Sequence, residues 1–272
     1  DGLERILRGR TGGLVVLGGM SRSVRDSALL LDVISGSTPV DRWAVPPPRE
    51  PFAAVAAREP GTLRIAWSTK CVTPGVDTDP EITAATEQVA RALVRLGHRV
   101  HRTAPRWPVA TDAFLPQFYG GMAAEAGQVE HPERLEPRTR QTARLARWAT
   151  PRVVERAIRR GDRVAAAVDA RLLTDADVFL LPTMPKLPPP VGLLDGMDAV
   201  RAQVATLPYV ANTVLTNVSG HPALALPAGL SASGLPIGVQ LIARRGEEGL
   251  LLAIAAQIEA SRPDFWPGVA TP

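Results

Sequence analysis

Between Asn212 and Ala243 the chain reads NTVLTNVSGHPALALPAGLSASGLPIGVQLIA, apolar for most of its length yet broken at intervals by Gly and Pro. Ala223-Leu224-Ala225-Leu226 and Gly238-Val239-Gln240-Leu241-Ile242 are two short apolar runs. Between them lies a turn-forming segment, from Pro227-Ala228-Gly229 to Ser233-Gly234-Leu235-Pro236. Short apolar runs bounded by Gly and Pro read as buried strands, whereas longer ones favour helix. The pattern predicts a buried hairpin or neighbouring strand pair, led into by the turn Ser219-Gly220-His221-Pro222.

The stretch from Leu63 supplies the class of fold. Leu63-Arg64-Ile65-Ala66-Trp67 alternates like a strand. Asp79-Pro80-Glu81 then places a cap residue, an N1 proline and an acid at a helix start. Ile82, Ala85, Val89, Leu93 and Leu96 form the buried stripe of that helix, and Gly97 ends it. His98-Arg99-Val100-His101-Arg102 returns as a strand. Strand, helix and strand in this order make a βαβ unit, whose parallel strands need the crossover helix. The expected fold class is α/β.

Elements of both kinds continue on either side. GGLVVLGGM at 12–20 reads as a buried strand or the lead into a loop. Ser23 with Asp26 three residues on fits a capping-box variant, followed by Val24, Ala28, Leu31 and Ile34 at helical spacing and Gly36 as the stop. Residues 38–61 are Pro-rich and read as an extended surface connection. Residues 110–174 are mostly helical. Thr150-Pro151 starts a long segment through roughly Leu173, with Val153, Val154, Ala157, Val164 and Val168 inward and Gly161 as a potential break. Ala176 to Leu181 reads as another buried strand, ending in Pro182-Thr183-Met184-Pro185. Gly246-Glu247-Glu248 opens a last helix with Leu250, Leu251, Ile254 and Ile258 inward. The whole, 1–272, is taken as one domain.

Composition narrows the function. With 272 residues, 45% hydrophobic and 21% charged, the chain has a globular make-up, and no apolar run approaches the roughly 20 residues of a membrane span. The net charge is only +4, aromatics are 4%, and the Arg residues from Arg134 to Arg163 fit a solvated helix face better than a nucleic-acid surface. Cys71, the single cysteine, excludes an internal disulfide and suits a reducing cytoplasm. The opening DGLERILRGR has no signal-peptide core and begins on Asp, so the sequence reads as starting after the true beginning of a gene product. Neither a nucleic acid nor a membrane is expected as partner.

The residues alone supply no catalytic constellation. Cys71, His98 and His101 lack zinc-site spacing, and there is no G-x-S-x-G elbow and no phosphate loop. Ser219 and His221 are the nearest Ser–His pairing, read as a turn serine and a rim histidine. Lys70 and Lys186, the only lysines, both fall in expected loops.

Four segments, in order, resemble the amidase signature family. Gly18-Gly19-Met20-Ser21-Arg22-Ser23-Val24-Arg25-Asp26 resembles its G-P-M-x-R-T-V-x-D helix start. Leu63 to Ala104 is similar to its βαβ unit with D-P-E and L-G-H-x-V. Asp177 to Pro185 resembles D-x-L-x-x-P-T-x-P. Asn217 to Gly229, then Gly234 to Leu241, resembles N-x-T-G-x-P-A…P-x-G…G-L-P-x-G-x-Q-L.

The resemblance implies a twisted mixed β-sheet flanked by helices, of which this chain is the C-terminal portion. It implies hydrolysis of carboxamide C–N bonds by a Ser nucleophile, a bridging Ser and a Lys base, with oxyanion donors from a Gly/Ser-rich loop and no metal or organic cofactor. The family's nucleophile lies in a G-G-S-x-R-x-P segment upstream of the Arg-Gly-Arg that Arg8-Gly9-Arg10 resembles, and its Lys and bridging Ser lie further upstream. No residue of this chain takes over a catalytic role from the resemblance, and the isolated chain is expected to be inactive. Thr183 and Asn217, at the ends of two expected strands, are candidates for the rim of a substrate pocket; the alternative is that they cap turns. Two functional readings stand: an amidase whose catalytic segment lies elsewhere, and a non-catalytic remnant or partner-binding scaffold. The expected partners are a small-molecule amide and either the N-terminal segment or a second copy of the chain.

Overall fold

The computed structural model describes residues 14–16, 18–37 and 46–265. Five strands form one mixed sheet in the order β2-β1-β3-β5-β4: β1 (Arg64–Trp67), β2 (Arg99–Arg102), β3 (Val178–Pro182), β4 (Ala223–Leu230) and β5 (Pro236–Ala243). β1 runs parallel to both β2 and β3, and β5 runs antiparallel to both β3 and β4.

The nine α-helices among the described residues are α1 (Val24–Ile34), α2 (Phe52–Ala56), α3 (Pro80–Arg95), α4 (Thr111–Ala126), α5 (Pro137–Leu145), α6 (Pro151–Leu172), α7 (Ala199–Val210), α8 (Val214–Ser219) and α9 (Glu248–Ser261). They cover the sheet on both faces because successive strand residues point to opposite sides. Ile65, Val178, Leu180, Val239 and Leu241 pack with Val89 and Leu93 of α3 and Ile254 and Ile258 of α9. Ala66, Phe179, Leu181 and Ile242 pack on the other face with Val164 and Val168 of α6 and Leu215 and Val218 of α8. β3 is buried at every position, as expected of a strand covered on both faces.

Local chemistry sets the boundaries. Asp79 caps α3, its carboxylate accepting the Glu81 N–H at 2.9 Å, with Pro80 at the first helical position. Ser23 Oγ accepts the Asp26 N–H at 3.1 Å at the head of α1. The β4–β5 hairpin turns through Ser231, whose Oγ accepts the Leu235 N–H at 3.0 Å, and Gly234 at φ +79°.

Several expectations change. Of 12–20, residues 12, 13 and 17 lie outside the described residues; the rest form no strand, although Leu14 is buried. Within 38–61, residues 38–45 lie outside the described residues, while Phe52–Ala56 is a helix rather than an extended connection. Asp32 of α1 caps it, accepting the Ala53 N–H at 3.0 Å. Gly161 does not break α6, which is continuous over 22 residues. No strand ends at Asn217: Val214–Ser219 is helical, because Leu215 and Val218 dock one turn against the sheet and Gly220 at φ +67° stops it.

Candidate functional site

The connection from β1 runs out to β2, and the next returns across β1 to β3. That reversal lies between β1 and β3, and open α/β sheets bind ligands in the crevice outside the carboxyl ends of such strands. At that end of the sheet the Ser68–Thr78 loop follows β1, the Thr183–Lys186 turn follows β3, and β5 starts alongside.

Backbone bonds set these loops in place. Ser68 N–H donates to Leu180 O at 3.1 Å, Thr183 N–H to Gly238 O at 3.0 Å, and Asp79 N–H to Pro185 O at 2.8 Å. Asn212, fully buried between α7 and α8, joins both sides. Its Oδ1 accepts the Val72 N–H at 3.0 Å and its Nδ2 donates to Pro182 O at 2.9 Å. Thr73 Oγ1 adds a bond to Ala211 O at 3.2 Å.

Beside the β1 end lies an open cleft of about 430 Å³, lined by Ser68, Lys70, Cys71, Asp77, Arg102 and Thr103 among others. The Arg102 guanidinium lies 5.1 Å from the Trp67 ring centroid and 3.8 Å from Glu87. Cys71 is buried, and burial pushes its thiol above the ordinary value of 9.0, which keeps it protonated and a poor nucleophile at neutral pH.

Of the two rim candidates, Thr183 falls at the crevice, directly after β3, with its Oγ1 buried and without a hydrogen-bond partner. Asn217 does not end a strand: it sits on the exposed side of α8, and no side-chain hydrogen bond joins it to Thr183 among the described residues. The buried amides among the described residues are instead Gln117, Asn212 and Gln240, and Gln240 stands alone within the apolar run of β5. That contrast is the signal by which Gln240 could have been singled out, since a buried amide needs partners.

Ser219, His221 and Asp169 do come together. His221 Nδ1 is 3.0 Å from Ser219 Oγ, and Nε2 is 3.2 Å from Asp169 Oδ1. Ser219 is the last residue of α8 rather than a turn serine, and His221 is no rim residue: its side chain is fully buried. Ser219 is also completely buried and its carbonyl accepts from the Arg245 guanidinium, so no substrate carbonyl can approach its hydroxyl. The trio joins α6 to the turn before β4. Burial lowers the His221 pKa from 6.5 against the opposing pull of Asp169.

Lys70 is exposed and Lys186 partly so. His98 is buried rather than on a strand, its Nδ1 accepting the Leu63 N–H at 3.2 Å, while His101 is exposed on β2. No group of three His, Cys, Asp or Glu that could hold a metal occurs among the described residues. No helix among them is long and apolar enough to cross a membrane.

Comparison with known proteins agrees with this architecture. AmiB2 of Mycobacterium tuberculosis, which carries an amidase name, is 38% identical over 253 residues, covering 92% of this chain and 53% of that protein. The 6-aminohexanoate-cyclic-dimer hydrolase of Paenarthrobacter ureafaciens is 36% identical over 262 residues, covering 89% and 53%. A solved structure of 6-aminohexanoate cyclic dimer hydrolase superposes with a TM-score of 0.80 at 33% identity, covering 89% of this chain and 54% of that one. A bacterial aryl acylamidase of the amidase signature family shares the fold, with a TM-score of 0.73 at 21% identity over 93% and 55%. The chain thus spans about half the length of the curated relatives it matches. The Amidase family profile matches residues 4–252, and the chain belongs to that family.

Proposed function

We propose that this chain is the C-terminal portion of a hydrolase of carboxamide C–N bonds. The observation that carries the reading is the family match from residue 4 to residue 252, which takes in every strand of the sheet. In this reading the chain supplies the β1–β3 crevice and the wall formed by β5, while the Ser nucleophile, bridging Ser and Lys base that the resemblance implies come from a preceding segment. One relative's name gives a cyclic dimer of 6-aminohexanoate as its substrate, so aliphatic amides are the first class to assay. The partner is a small-molecule amide, and neither nucleic acid nor membrane takes part. Cytoplasmic residence fits the single buried thiol of Cys71.

The test compares the 272-residue chain with the protein expressed from its natural reading frame, including whatever is encoded before Asp1. The chain alone should give no burst of product from a simple aryl or aliphatic amide and no covalent label from a serine-directed fluorophosphonate. The natural product should give both. A labelled serine in the chain alone would overturn the placement of the nucleophile. Absence of label and turnover in both would leave the scaffold reading.

A further inference from the structure

We infer that Thr183 and Gln240 form a hydrogen-bonding pair for the carbonyl oxygen of a carboxamide. Gly238 and Gln240 lie two apart on β5 and therefore face the same side of the sheet. Thr183 sits opposite Gly238, its N–H bonded to the Gly238 carbonyl at 3.0 Å, and Leu181 sits opposite Gln240. Cross-strand partners share a face, so Thr183, Leu181, Gly238 and Gln240 lie on one patch. Gln240 is only 3% exposed, its Nε2 is buried without a partner, and so is the Thr183 hydroxyl.

Unpaired buried polar groups are costly and rare, and two on adjoining positions at the carboxyl end of β3 point to a shared ligand. Gly238 adds no side chain to the patch; a Cβ there would sit in contact with the Thr183 hydroxyl, 3.4 Å from its Oγ1. Ala225, opposite Gln240 on β4, is small and exposed, so no large side chain of that strand covers the carboxamide.

The available groups are an amide N–H and a hydroxyl, both neutral. Gly238 and Gln240 are about 7 Å apart along the strand, within reach of a long Gln side chain, so one oxygen with two lone pairs can accept from both. Leu181 and Ile242 on the same face make the patch apolar, which penalises a carboxylate more than a neutral amide. The choice of a carboxamide rests on the hydrolase reading. A small amide and the main chain of a preceding segment present the same carbonyl chemistry.

The experiment uses Gln240→Leu and Thr183→Val in the 272-residue chain, with 15N observation of the Gln240 side chain in the wild type. Replacing an unpaired buried polar group by an apolar one of similar shape should leave the melting temperature unchanged or raise it by about 2–4 °C. A fall of that size in Gln240→Leu would show that its amide is already satisfied and overturn the proposal. N-methylacetamide should shift the Gln240 side-chain resonance and acetate should not. A shift on adding N-methylacetamide in both the chain and the protein from the natural reading frame identifies a small amide as the source. A shift in the chain that is lost in the protein from the natural reading frame identifies a main-chain carbonyl. No shift in either overturns the pair. These readouts need no turnover, so failure of the hydrolase reading is seen separately.

Discussion

The His221 imidazole links two elements far apart in sequence, its Nε2 lying 3.2 Å from Asp169 Oδ1 near the end of α6. Because burial lowers the ring's pKa from 6.5, the folded chain takes up this proton less readily than the unfolded chain. The contribution is therefore intact above about pH 6.5 and is lost as the pH falls through the lower folded value. Urea midpoints should fall between pH 7.5 and pH 5, and His221→Gln should reduce that fall. Asp169→Asn should deepen it, since the carboxylate is what holds the ring's pKa up.

Gly161→Ala sets helix propensity against packing. Propensity alone favours alanine inside α6 by about 1 kcal/mol. A Cβ at 161 would, however, lie 2.9 Å from the Val218 carbonyl oxygen, a backbone atom of α8 that cannot turn aside. Overpacking of this kind costs roughly 1–3 kcal/mol, so the substitution should destabilise in denaturant melts.

Asn212→Ala should cost about 2–4 kcal/mol, because it removes two hydrogen bonds and leaves the Val72 N–H and Pro182 O without their partner. Asn212→Asp keeps an acceptor for Val72 but loses the donor to Pro182, and should not restore stability. Urea unfolding of both variants checks this.

Cys71 should react with iodoacetamide far more slowly in the native chain than in urea. Both its burial and its raised pKa suppress the thiolate. Its labelling rate should follow opening of the β1–β3 crevice.

The elements that were legible in sequence carry their own punctuation. The βαβ unit announces itself through the Asp79 cap, Pro80 and Gly97, and the hairpin through its Gly and Pro. The segment 199–219 was harder, because α7 and α8 are held by tertiary docking rather than by a long periodic pattern. A six-residue helix with apolar and polar residues mixed also looks like a strand until Leu215 and Val218 are seen against the sheet. Asn217 was misplaced for that reason. Thr183 follows β3, a strand whose limits are plain in the sequence. His221–Asp169 was invisible, since nothing in the spacing of residues 52 apart announces contact.

The position of β3 in the sheet bears on how the chain folds. β1, α3 and β2 are neighbours in sequence, as are β4, β5 and α9, so each group can organise from local contacts. Of the strands, β3 alone pairs with both groups, with β1 on one edge and β5 on the other. Its two pairings close the long loops, and loop closure dominates the entropy of a folding barrier. Substitutions in β3 should thus act on the rate at which the halves join, making the fully buried central strand a kinetic keystone as well as the middle of the core.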